Sequence, residues 1–308
     1  MKLQEFTIAS SGGQRQLHVC QWTPEGAPRA VVQLTHGMCE HILRYAPLAE
    51  VLCARGFAVI GHDHLGHGWT ATDLNDLGIF PADHPSQTMA DDIRKVASVA
   101  KARFPGLPVF LLGHSMGSFL ARRVCMEAPQ TWRGVILMAT GDIPAPVVQS
   151  AKAALRTMIR LRGANHRPAR ITALGIANYN RAFRPIETTN DWLSSDREKL
   201  AAYNADPRCQ FTFSAAGYLM LIKTVEYIQK PDHIRTLSPE LSILFVSGAL
   251  DPIGDSGRGV RRVMKRYEKE CGDVTMKLYP GCRHQILDET ISDTICADIA
   301  DWVEQRIS

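Results

Sequence analysis

The pentapeptide Gly113-His114-Ser115-Met116-Gly117 follows an apolar run at 109–112 and precedes a helix-like stretch at 119–128, so it reads as strand, sharp turn, helix. A serine at the apex of such a turn brings the backbone two residues away on either side into close approach, and glycine at 113 and 117 permits it. The turn pushes the Ser115 hydroxyl outward, and the helix N-terminus behind it favours developing negative charge.

The surrounding chain has matching α/β logic. Short β-rich runs lie at 3–9, 17–22, 30–34, 57–61, 109–112, 135–138, 242–246 and 274–279. From the third onward they mostly alternate with helical patterns at 42–55, 86–103, 119–128, 257–271 and 289–306. Runs such as Val31-Val32 and Ile136-Leu137 are apolar on both faces, which predicts a central, mainly parallel sheet covered by helices on each side. Between about 141 and 239 the strand signal stops, and helical segments broken at Pro144, Pro146, Pro168, Pro185 and Pro207 take its place. The expected organisation is therefore a core of 1–140 and 240–308 with a helical cap inserted at 141–239.

With 308 residues, 45% of them hydrophobic, the chain can bury a sizeable core. A net charge of +4 and the absence of a basic block interleaved with aromatics argue against nucleic acid as a partner. The eight cysteines are scattered singly and read as reduced thiols rather than a disulfide or zinc framework. Residues 1–10 alternate like a strand and lack a signal-peptide pattern, and no apolar run is long enough to span a bilayer, so a cytoplasmic location is expected.

A serine hydroxyl becomes a useful nucleophile when an imidazole takes its proton and a carboxylate orients that imidazole. Asp251 follows a buried-strand pattern and would sit at the carboxyl edge of the sheet, with Asp255 as a nearby competitor. His284 lies on a loop after Tyr279-Pro280-Gly281, ahead of the last helix. Ser115, Asp251 and His284 occur in the chain order Ser, Asp, His. The backbone N–H of Met116 and that of Met38, aimed by the bend at Gly37, are the expected oxyanion donors.

Together, His36-Gly37-Met38-Cys39-Glu40-His41 with Arg44-Tyr45, His62-Asp63-His64-Leu65-Gly66-His67-Gly68, the serine pentapeptide and Tyr279-Pro280-Gly281 leading to His284 resemble the α/β-hydrolase family. The closer resemblance is to its branch of monoacylglycerol lipases and lysophospholipase-like or serine-aminopeptidase-like hydrolases. The resemblance implies an eight-stranded sheet, a helical cap over the active site, no cofactor, and ester cleavage through an acyl-enzyme. It carries over Ser115, Asp251 and His284 as the catalytic residues and the Met38 and Met116 amides as the oxyanion hole. The substrate it implies is a small lipid-like ester. Cys39 and Ser118 stand where the family often has glycine.

Two rival readings come from other chemistry. The histidines at 62, 64 and 67 superficially resemble a zinc-hydrolase signature, but Gly66 stands where that motif needs Asp, so no metal is expected. A non-catalytic, ligand-binding hydrolase fold is the other, and the intact Ser, Asp and His argue against it. A small-ester carboxylesterase or an aminopeptidase-like amidase remains the nearer alternative for substrate. Within the expected cap, Lys152, Arg156, Arg160, Arg162, Arg167, Arg170, Arg181 and Arg184 occur between 152 and 184 with no Asp or Glu. Leu155, Met158 and Ile159 share one face of a helix whose other face carries Lys152, Arg156 and Arg160. Such a helix either packs its apolar face on the core or contacts an anionic lipid surface peripherally.

Overall fold

The computed structural model describes residues 1–13, 15–80 and 83–307. The eight expected strands are present as β1 (Lys2–Ala9), β2 (Gln16–Thr23), β3 (Ala30–Thr35), β4 (Phe57–His62), β5 (Val109–His114), β6 (Gly134–Met138), β7 (Ser242–Gly248) and β8 (Val274–Tyr279). They form one sheet in the order β1-β2-β4-β3-β5-β6-β7-β8. β2 pairs antiparallel with β1 and β4, and every pair from β4 across to β8 is parallel.

Successive strand side chains point to opposite faces, so a strand apolar at every position needs cover on both. Val31, Leu111, Leu137 and Phe245 pack against α2 (Pro85–Arg103), α3 (Met116–Glu127) and α9 (Arg258–Tyr267) through Ile93, Val124 and Val263. On the other face, Val32, Leu112, Ile136 and Val246 meet α1 (Ala46–Ala54) and α10 (Ser292–Glu304) through Leu52 and Ile299. Each such side chain contributes about 1.5–3 kcal/mol relative to exposure.

Helix boundaries depart from the sequence reading where local backbone demands it. The stretch 42–55 divides into a 3₁₀ turn, Ile42–Tyr45, and α1, which has Pro47 in its first turn. The helix expected from 257 begins after Gly257, whose φ of 82° lies in the left-handed region and cannot continue a right-handed helix.

Between β6 and β7 there is no strand among the described residues. The chain runs instead through α4 (Ala145–Arg162), α5 (Ala169–Tyr179), a 3₁₀ turn (Asn180–Ala182), α6 (Arg197–Ala205), α7 (Ala215–Ile228) and α8 (Pro231–Ile234). Pro144 and Pro168 precede α4 and α5 as expected of breakers. Pro146 does not break a helix. It lies in the first turn of α4, where the missing N–H has no intrahelical partner to lose. A small separate cluster of Phe183, Trp192, Leu193, Leu200, Tyr203 and Cys209 holds the middle of this stretch together.

Candidate active site

Ser115 caps β5 and starts α3 with φ 51° and ψ −118°, a left-handed backbone that a non-glycine residue adopts only under constraint. The constraint is packing. A Cβ at 113 would lie 2.4 Å from the Gly117 carbonyl, and one at 117 would lie 2.1 Å from the Thr35 carbonyl. The Ser115 N–H donates to Met138 O at 2.9 Å, and Ser118 Oγ donates to Ser115 O at 2.6 Å, so serine after the elbow ties the turn to the helix.

Asp251 and His284 converge on the same edge. The turn after β7 and the loop after β8 are joined by Ala249 N–H to Tyr279 O and Leu250 N–H to Cys282 O, both 2.9 Å. Gly248 makes this contact possible, because a Cβ there would lie 2.1 Å from Arg283 O. His284 Nε2 is 2.8 Å from Ser115 Oγ, and its Nδ1 is 2.9 Å from Asp251 Oδ1. Asp251 is fully buried and also accepts the Ile253 N–H at 2.9 Å. Asp255 faces elsewhere and pairs with Arg258 and Arg262 at 2.7 and 3.2 Å. A hydroxyl, an imidazole and a buried carboxylate in this sequence can relay a proton and stabilise the imidazolium that forms.

The Gly37 loop lies against the serine: a Cβ at 37 would be 3.1 Å from Ser115 Cβ. Met38 follows in this loop, and Met116 is the first residue of α3, whose N–H has no partner within the helix. Cys39 has φ 56°, in the left-handed region that favours glycine, and its Sγ donates to Phe211 O at 3.2 Å.

Sequence reasoning gave Glu40 no role, yet its buried carboxylate is the hub of this corner. It accepts the Gly37 N–H, the Tyr45 hydroxyl at 3.1 Å and His114 Nδ1 at 2.7 Å. Burial would raise the Glu40 carboxyl, but the His114 charge and hydrogen bond, with His36 and Arg44, hold it well below the usual carboxylate range. Burial would likewise lower His114, but the Glu40 charge and hydrogen bond raise it. The only local signal was a carboxylate three residues after a loop glycine.

His36, His41 and His114 are hydrogen-bonded to Gly37 O, Asp206 and Glu40. Asp63 accepts the Ile42 and Trp69 N–H groups at 2.7 and 2.9 Å, and so shapes the loop after β4. The rings of His64 and His67 pack with that of His36, and that of His62 with His64, rather than bringing ligand nitrogens to one point among the described residues. Two other groups could each bring three ligand atoms within 4.8 Å, Glu5 with His18 and Cys20, and His41 with Asp206 and Cys209. In both, the imidazole already bonds the carboxylate at 2.8 Å.

The family model described as Hydrolase_4, serine aminopeptidase S33, matches residues 26–291. The chain belongs to the Hydrolase_4 family. Its fold is the α/β-hydrolase fold, with an eight-stranded, mostly parallel sheet flanked by helices. The chain is 29% identical to the monoglyceride lipase of Homo sapiens, over 92% of this chain and 86% of that protein. It is 28% identical to the monoacylglycerol lipase of Mycolicibacterium smegmatis, over 98% of each. A carboxyl esterase from Bacillus coagulans, solved with glycerol, superposes with a TM-score of 0.93 at 28% identity over all of both chains. Within this Hydrolase_4 chain no described helix is long and apolar enough to cross a membrane.

Proposed function

We propose that this chain is a serine hydrolase that cleaves carboxylic esters with an apolar acyl chain, of the monoacylglycerol or lysophospholipid type, through an acyl-enzyme. The observation that carries the reading is the chain of hydrogen bonds from Ser115 through His284 to Asp251, at 2.8 and 2.9 Å. Ser115 Oγ attacks the ester carbonyl carbon while its proton passes to His284 Nε2. The carbonyl oxygen, now an anion, is held by the Met38 and Met116 amides. The carbon–oxygen bond to the alcohol breaks, and the alcohol leaves with the proton from His284. A water then repeats the sequence on the acyl-enzyme and releases the acid. Asp251 fixes the imidazole and stabilises its charged form throughout.

Residues 141–239 serve as the cap over a core of 1–140 and 240–308. The basic, apolar-tipped face of α4 and α5 makes a peripheral contact with an anionic membrane surface: Arg156 and Arg160 are exposed, as is Leu161 at 78%. Eight free cysteines agree with a cytoplasmic protein at the inner leaflet. The resemblance to a carboxyl esterase supports small esters as the second reading of the substrate.

A panel of acyl-glycerol, lysophospholipid, p-nitrophenyl ester and aminoacyl-amide substrates, run beside Ser115→Ala, tests the proposal. The substitution should lower kcat by roughly 10⁴-fold or more and abolish fluorophosphonate labelling. Full turnover by the alanine variant would overturn it, and preference for the amide or the short ester would reassign the substrate.

A further inference from the structure

The His284 imidazole packs against two rings as well as bonding at both nitrogens. The His114 ring lies 5.1 Å away, centroid to centroid, and the indole of Trp192 lies 4.9 Å away at an interplanar angle of 31°. Trp192 is 8% exposed and packs in turn against Tyr179, centroids 4.9 Å apart and rings tilted by 44°. Its Nε1 is buried with no hydrogen-bond partner among the described residues, so the ring occupies this position despite an unpaired donor.

The backbone around Trp192 clasps the histidine loop. Leu193 O accepts the Gln285 N–H at 2.7 Å, and Trp192 O receives the longer 3.5 Å bond from His284 N–H. Ser194 Oγ donates to Asp288 O at 2.7 Å. Glu289 accepts the Arg283 and Ser195 N–H groups at 2.7 and 3.2 Å, and the Arg283 guanidinium reaches Asp191 O and Ser194 O. The insertion thus holds the loop that presents the base.

We infer that Trp192 is a positioning residue for His284, its indole fixing the imidazole between Ser115 and Asp251 and favouring the imidazolium formed during acyl transfer. An aromatic face attracts a cation packed on it, and a buried indole limits the rotation that would take Nε2 off the serine. The inference rests on the proposed serine hydrolase reading. The titratable groups on the elements packed about the imidazole are Asp251 on the β7 turn, His114 on β5 with Glu40 behind it, and, directed away toward 191–195, Arg283 and Glu289 on its own loop; Tyr179 lies behind the indole.

The test uses Trp192→Leu, which keeps an apolar cover without a π face, and Trp192→Phe, which restores a ring. In the leucine variant kcat should fall roughly ten- to a hundredfold, with KM within about twofold. The acid limb of its kcat/KM profile should move down by about half a pH unit. Phenylalanine should recover most of kcat. In the parent protein, tryptophan emission should be quenched as His284 is protonated, a component absent from Trp192→Phe and from His284→Asn. Unchanged kcat in the leucine variant, a change in KM alone, or pH-dependent emission that survives Trp192→Phe would each overturn the inference. If the leucine variant does not fold, the phenylalanine variant and the emission signal still decide it. Loss of the hydrolase reading itself would appear differently, as activity retained by Ser115→Ala.

Discussion

Two parts of the helical stretch between β6 and β7 differ sharply. The first, α4 and α5, buries few side chains, Val148 and Leu155 in α4 and none among the described side chains of α5, although α4 packs along α7. Val147, Leu161, Leu174 and Ile186 stand exposed, Leu174 at 72%, beside exposed Arg156, Arg160, Arg162 and Arg170. Lys152 is the exception to the basic face read from the sequence, since it pairs with Glu226 on α7. The second half, from Asp191 to Phe213, is tied down at each turn. Besides the clasp on the histidine loop, Tyr203 Oη donates to Cys39 O at 2.9 Å, Asp206 meets His41 at 2.8 Å, and the Arg208 guanidinium donates to Gly68 O. One half offers an amphipathic surface, and the other bonds the loop that carries His284. Local opening of the first half would expose fewer buried side chains than opening of the second.

Acid should break this contrast most. His36, His62, His64 and His67 are fully buried, burial lowers all four, and His62 and His67 fall to about 3. The unfolded chain takes up these protons near the ordinary imidazole value and the folded chain does not. Stability is therefore complete above that value and falls steadily as pH drops from it toward about 3. Asp206 adds to the loss at lower pH: burial would raise it, but the His41 hydrogen bond lowers it, so its contribution disappears as the carboxylate protonates. His67 packs on Phe211 and Phe213, so the second half should loosen first. Segment-resolved hydrogen exchange should show protection lost in 191–213 across this window with little change in 145–162. A uniform response would contradict the division.

Asp191→Ala comes next in size. The carboxylate is fully buried and accepts the Glu187 and Thr188 N–H groups at 2.9 and 3.0 Å and the Thr188 hydroxyl at 2.6 Å. Its removal should cost about 3 kcal/mol by urea denaturation and lower kcat through the displaced clasp. A loss under about 0.5 kcal/mol, the range of ordinary surface changes, would show that the second half is not anchored there.

Arg156→Ala with Arg160→Ala should have the smallest effect on the fold, within about 0.5 kcal/mol. Each arginine near an anionic surface contributes about 1 kcal/mol, so binding to phosphatidylserine vesicles should weaken roughly tenfold or more while kcat on a soluble ester stays constant. Unchanged vesicle binding would remove the membrane role from the first half.

Local pattern carried most of the architecture. Central strands could be read because runs such as 109–112 and 243–246 are apolar at consecutive positions, and β1 because its residues alternate. Ser115, Asp251 and His284 could be placed together because each follows a strand that ends at the same sheet edge. Glu40 and Trp192 could not. Glu40 acts through His114, 74 positions away, and nothing near either residue announces the other. Trp192 was legible only as one aromatic among several in the insertion, where plain packing is the commoner use of such a ring.

The order and polarity of side chains along the backbone determined the fold, because burial of alternating apolar faces and the steric needs of a turn are short-range effects. Contacts across 169 positions, such as Ser115 to His284, depended on how helices and loops pack. So did the assignment of one half of the insertion to the base loop and the other to solvent. Those outcomes are set by shape complementarity and by which buried polar groups find partners, and both exist only once the chain is folded.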